Sequence, residues 1–123
     1  MRAAAVAVCV AALALAGAAP SVSQSGCPSS LLPLPRNAIA PASIAAFRAV
    51  PRRDDPQVTG AMFAIYDQNR GPIARHECGA AVWRRTVVVY VQRRAYLPAI
   101  SASSGVYFVG RFRGGYRVWQ VVH

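Results

Sequence analysis

The chain has 123 residues, 54% of them hydrophobic, and carries 14 basic against 4 acidic side chains for a formal net charge of +10 at pH 7. That length excludes a two-domain organisation, and a domain of this size buries about two thirds of its unfolded surface, so one hydrophobic core suffices without many staples. Every basic residue is arginine; a GC-rich coding bias accounts for the missing lysine but not for the surplus of base over acid, since aspartate and glutamate also have GC-compatible codons.

The N-terminus has the three-part form of a secretory signal, assigned to residues 1–18. Arg2 supplies the positive region, Ala3 to Leu15 is an unbroken apolar run, and Ala16-Gly17-Ala18 fits a small-residue cleavage site. The run is shorter than the roughly 20 apolar residues that span a bilayer, and no later segment approaches that length. The mature chain is expected to begin near Ala19, to be secreted with no transmembrane segment, and to carry a net charge of +9 after loss of Arg2.

Residues 19–36 read as an irregular Ser/Pro-rich arm. Pro33 and Pro35 forbid a regular helix and favour extended backbone, while Leu31, Leu32 and Leu34 give the arm apolar groups with which to lie on the body. The α+β domain proper spans 37–123. A helix is predicted near Pro41 to Val50, ended by Pro51, with Ile44, Phe47 and Val50 as its apolar face. The following Arg52-Arg53-Asp54-Asp55-Pro56 stretch has the mixed charges of a locally paired turn.

From there the pattern is read as sheet: Val58 to Asp67, a turn at Gln68-Asn69-Arg70-Gly71-Pro72, a short strand from Ile73 to Cys78, a long one from Ala81 to Leu97, then Val106 to Phe112 and Tyr116 to Val122. Gly114-Gly115 signals a two-residue hairpin. With that loop, Arg113 faces Tyr116 and Phe112 faces Arg117, while Gly110 faces Trp119 and leaves room for its indole. One side of this hairpin, rich in Phe112, Phe108 and Trp119, is expected to face the core. The other bears Arg111, Arg113, Tyr107, Tyr116 and Gln120, and the first four are the predicted binding residues.

Once Cys9 leaves with the signal, Cys27 and Cys78 remain, and in an oxidising compartment they read as one disulfide. Lipid attachment at Cys27 is the rival, but lipoprotein processing wants an apolar residue three positions earlier, where Gln24 stands. Other chemistry is sparse. His76-Glu77-Cys78 lacks the second histidine of the H-E-x-x-H zinc motif. On a strand, His76 and Cys78 would share a side, as a thiolate–imidazole pair requires, but the disulfide claims the thiol. No catalytic constellation, metal set, cofactor site or phosphate loop emerges. Of the arginine pairs at 52–53, 84–85 and 93–94, two would divide their charge between the faces of strands, which with export argues against a nucleic-acid stripe.

A helix followed by four or five antiparallel strands, the helix laid across a curved sheet, resembles cystatin-like and NTF2-like folds in layout over Pro41 to His123. The cystatin inhibitors' Q-x-V-x-G loop is absent, since Gln57-Val58-Thr59-Gly60 lacks its spacing. The Arg-Val-Trp run near the end is also similar to small secreted bacterial proteins. The charge, the export signal and the lack of catalytic groups together point to a secreted, non-enzymatic domain that binds an anionic polymer or a protein partner. An NTF2-like carrier or enzyme with a pocket between helix and sheet, and a protease inhibitor, are the alternatives. The intact mass of the exported protein is expected to match cleavage near Ala19, with two thiols labelled only after reduction; a lipid adduct on Cys27 would overturn the disulfide.

Overall fold

Thr86 to Val91 is an almost unbroken β-branched run, a composition suited to a strand covered on both faces. In the computed structural model, which describes residues 26–123, that is how it sits. The signal expected over 1–18 and the start of the arm lie outside the described residues. The fold is α+β, as the element pattern implies: helix α1 (Ile39–Ala49), strand β1 (Pro56–Phe63), helices α2 (Gly71–Cys78) and α3 (Ala80–Arg84), then strands β2 (Thr86–Arg93), β3 (Ser104–Phe112) and β4 (Gly115–Val122). The strands form one antiparallel sheet in the order β1-β2-β3-β4, leaving β1 and β4 as its edges. Among the described residues no helix is long and apolar enough to cross a membrane.

Helix α1 covers one face of the sheet. Its contact stripe is Ala38, Ala42 and Ala46, all fully buried against Val87, Val89, Val91, Tyr107 and Val109. Spacing of four residues places these alanines on one line, and their small size brings the helix axis close to the valine surface. The predicted apolar face is therefore corrected: Val50 is buried, but Ile44 and Phe47 are exposed.

The second face is covered by α2 and α3, where strands were expected. Ala64, Ala74, Val88, Val106 and Phe108 form this core, with Ile73, Trp83, Tyr90, Trp119 and Val122 packed around it. The Ile73 to Cys78 strand is a helix instead, opened by Gly71 and a proline in its first turn and closed by Gly79 at φ 89°. Gly71 is needed for contact as well as for the turn, because a Cβ there would collide with the Ala64 carbonyl. The expected long strand from Ala81 is likewise split, its first residues forming α3 before β2 begins at Thr86. The first strand is shorter than expected as well, ending at Phe63 in a 3-10 turn over Ala64–Tyr66.

The arm completes the sheet. Strand β2 stops opposite Gly110, and Leu32 then takes the next place in its row, donating its N–H to the Arg111 carbonyl at 2.7 Å. Arg85 holds the arm from below, its Nη1 2.6 Å from the Leu31 carbonyl. The Cys27–Cys78 disulfide, with Cα atoms 5.4 Å apart, ties the arm to the end of α2. Closing a loop of 51 residues is worth roughly 4 kcal/mol in the chain-entropy account.

Two bulges set the registers. Thr59 is the extra residue between Val58↔Val91 and Gly60↔Tyr90, and Trp119 is the extra residue between Val109↔Val118 and Phe108↔Gln120. The predicted hairpin register is corrected accordingly: Arg111 faces Tyr116, Gly110 faces Arg117, and the turn residues are Arg113 and Gly114. Trp119 packs on Phe108, ring centroids 5.4 Å apart, so it does not need the space at Gly110. That space holds Leu31, whose Cδ2 would collide with any Cβ at position 110.

Gly110→Ala should therefore destabilise the fold by about 1–3 kcal/mol, and Leu31→Ala by about 2–5 kcal/mol. The double variant should lose less than the sum of the two, because the methyl occupies space vacated by the leucine. Urea unfolding of the three variants tests this; strict additivity would show that the two residues do not share that space.

Candidate functional site

Between α1 and the β3–β4 hairpin lies an open groove of about 750 Å³, lined from the helix by Pro41, Ile44, Ala45 and Arg48 and from the strand by Gly114 to Val118. Its position follows from the alanine stripe. The alanines claim the seam beneath α1, so Arg48 borders the β4 edge instead of joining the core, while Ile44, on the outer side of the helix, lines both this groove and the hollow over Pro56 and Val58 of β1. Gly115, at φ 126°, adopts a conformation that side-chain-bearing residues rarely take and starts β4 directly beneath the helix end.

The predicted binding residues fall into two groups. Tyr116 lines the groove and exposed Arg113 adjoins it in the turn, whereas Arg111, though paired with Tyr116 across β3 and β4, is not among the lining residues. Arg111 reaches toward the arm, its Nη1 3.3 Å from the Pro33 carbonyl. Tyr107 is not part of this group. It is 2% exposed in the core under α1, and its hydroxyl accepts a hydrogen bond from Arg93 at 3.2 Å. Arg48 was not predicted, although its place in the last turn of a helix expected to cross the sheet was the available signal. Arg117 stands on the opposite face of β4, with its guanidinium 4.4 Å above the Phe112 ring.

The four acidic residues all lie elsewhere. Asp54 is near Arg53 and Arg93, and Asp55 pairs with Arg94 at 2.9 Å, so the closest partner of the 52–56 turn comes from the end of β2 and not from within the turn. Glu77 accepts a hydrogen bond from Gln120. Asp67 is buried below the other face. The groove thus has Arg48 on its helix side and exposed Arg113 in the turn beside it, with no carboxylate among its lining residues.

On the α2 side of the sheet a smaller hollow of about 410 Å³ is bordered by Thr59, Asn69, Arg70, Tyr90, Gln92 and His123. The Tyr90 hydroxyl donates to Asp67 Oδ2 at 2.5 Å, while the N–H groups of Asn69 and Arg70 donate to Oδ1 at 2.9 Å. Burial pushes the Asp67 pKa up, but the bonds from Tyr90, Arg70 and Asn69 outweigh it and leave the carboxyl below its ordinary value. Burial and the Asp67 carboxylate push Tyr90 up to about 12. A phenol held that high stays protonated near neutral pH, so the pair works as a structural clamp on the turn before α2. His76 and Cys78 are also separated from any shared chemistry, since they are two apart on a helix and Cys78 is in the disulfide. Among the described residues no three of His, Cys, Asp and Glu come together as a metal site.

No protein-family model, curated protein or solved structure matches this chain. The site therefore has to be read from its own chemistry.

The clamp has a defined pH signature. Asp67 is depressed below its ordinary 3.8, so its contribution is complete above that value and is lost as pH falls through the lower folded value. Tyr90 is raised from 10.0 to about 12, so its contribution is complete below 10 and disappears as pH rises toward 12. Tyr90→Phe should cost about 1–3 kcal/mol at neutral pH and flatten stability between pH 10 and 12. Denaturant midpoints measured across pH check both; identical profiles for wild type and variant would refute the clamp.

Proposed function

We propose that the protein is a secreted, non-enzymatic binding domain that takes an extended acidic polypeptide segment into the groove between α1 and β4. The observation that carries this reading is the groove itself, where Arg48 lines the space beside edge strand β4 and exposed Arg113 adjoins it in the turn, with no carboxylate among the lining residues. An edge strand presents unpaired N–H and C=O groups to which a partner backbone can add as a further strand. Ile44 and Tyr116 flank that position and offer apolar contact for alternate side chains of such a segment. The surplus of arginine steers acidic partners toward it.

Secretion is supported by the N-terminal pattern and by the Cys27–Cys78 disulfide, which persists in an oxidising compartment. The non-enzymatic part rests on Tyr90 and Asp67 being bound to one another and on Cys78 being oxidised, which leaves the most conspicuous reactive groups occupied.

Poly-L-glutamate is a suitable first probe. Replacing Arg48 and Arg113 with glutamine should weaken its binding at least about tenfold, or about 1.4 kcal/mol, and should flatten the dependence on salt. Replacing Arg52 and Arg53, at the opposite end of the sheet, should leave binding nearly unchanged. An unaltered salt slope in the Arg48/Arg113 variant would count decisively against the groove.

A further inference from the structure

The β2–β3 connection, residues 94–103, lies at the far end of the sheet from the groove and carries an unusual surface. Tyr96, Leu97 and Ile100 are 37%, 70% and 45% exposed. Single exposed apolar residues are ordinary, but three within five positions on one projecting loop form a patch that water solvates poorly. The loop is also well built. Tyr96 N–H donates to the Arg93 carbonyl, Ile100 N–H to Leu97, and Ser103 N–H to Ile100, giving three successive turns. Buried Ser103 bonds the Pro98 carbonyl from beneath through its hydroxyl. These bonds order the loop that bears the exposed apolar side chains.

Arginines surround the base of that tip. Arg94 N–H donates to the Asp55 carbonyl and Ala95 N–H to the Asp54 carbonyl, which fastens the Arg52–Asp54 turn alongside the loop. Arg52, Arg53 and Arg94 are all exposed there. Asp54 and Asp55 bond or pair within the same cluster, and the surrounding arginines outnumber them. The arrangement is therefore an apolar point above a cationic collar.

We infer that this end of the molecule docks on an anionic phospholipid bilayer, with Tyr96, Leu97 and Ile100 entering the headgroup and upper acyl zone and Arg52, Arg53 and Arg94 meeting lipid phosphates. The order of chemistry along the tip matches that of a membrane surface, in which a phosphate layer overlies hydrocarbon. A tyrosine beside the collar suits the interface, where its ring is in apolar surroundings and its hydroxyl stays wet.

The test uses the mature, disulfide-bonded chain with vesicles of phosphatidylcholine alone or mixed with phosphatidylglycerol. The wild type should co-sediment with the mixed vesicles and poorly with the neutral ones. Leu97→Asp with Ile100→Asp should lose at least about tenfold in binding while keeping the wild-type thermal midpoint, since both side chains are exposed. Arg52→Gln with Arg53→Gln should weaken binding severalfold and reduce its salt dependence. Arg48→Gln with Arg113→Gln should leave vesicle binding intact, so this inference and the groove reading fail separately. As a direct readout, Leu97→Trp should add a blue-shifted emission component with mixed vesicles. Absence of binding to any vesicle, or undiminished binding by the Leu97/Ile100 variant, would overturn the inference.

Discussion

Burial of the central strand pair on both faces is the constraint from which the rest of the structure follows. Val87, Val88, Val89, Phe108 and Val109 are fully buried, although adjacent strand residues point to opposite sides. A four-stranded sheet cannot achieve this with one helix. One face is closed by the alanine stripe of α1, and the other by α2 and α3, which the chain inserts between β1 and β2. The antiparallel meander needs no crossover to place β2 and β3 in the middle, and the long β1–β2 connection serves as the second cover.

Satisfying the centre determines what is left over at the ends. Because α1 approaches through alanines, its larger apolar residues have no place in the seam, and Ile44 and Phe47 are left exposed. Because the β2 row ends at Thr86 while β3 continues, a gap in the sheet remains beside Arg111, and the arm fills it with Leu31 and Leu32. Gly110 is the contact on which this depends, since only a residue without a side chain lets Leu31 reach the backbone. The two ends of the sheet therefore differ: one carries the arm and the β3–β4 hairpin, and the other carries the β2–β3 loop.

Much of this was legible in the residues. The α+β class, α1 to within two residues of its start and the last two strands followed from local signals, and the disulfide from the count of two remaining cysteines. Helices α2 and α3 did not, because segments of eight and five residues are too short to be stable helices by themselves and gain their conformation from packing on Val88 and Phe108. The signal for their presence lay in β2, whose lack of polar alternation implies a cover on each side. Register was illegible for a similar reason. The Trp119 bulge depends on the ring contact with Phe108 across the sheet, which no turn rule contains. Of the groove, Tyr116 was identified from sequence, with Arg113 beside it in the turn, but their neighbours on α1 required knowing which side of the helix the alanines claim.

The arm's place in the sheet has a consequence for the order of assembly. It is synthesised before every element it touches, yet its hydrogen-bond partner Arg111 lies 79 residues further along the chain and Cys78 lies 51 residues from Cys27. Neither contact has a local substitute, so both belong to the slow, high-separation class whose loop entropy is met late in folding. The two ends of the molecule thus mature at different times. The β2–β3 loop is set by contacts between neighbouring strands, whereas the groove end is finished only when the first segment of the domain returns to lie against the last hairpin.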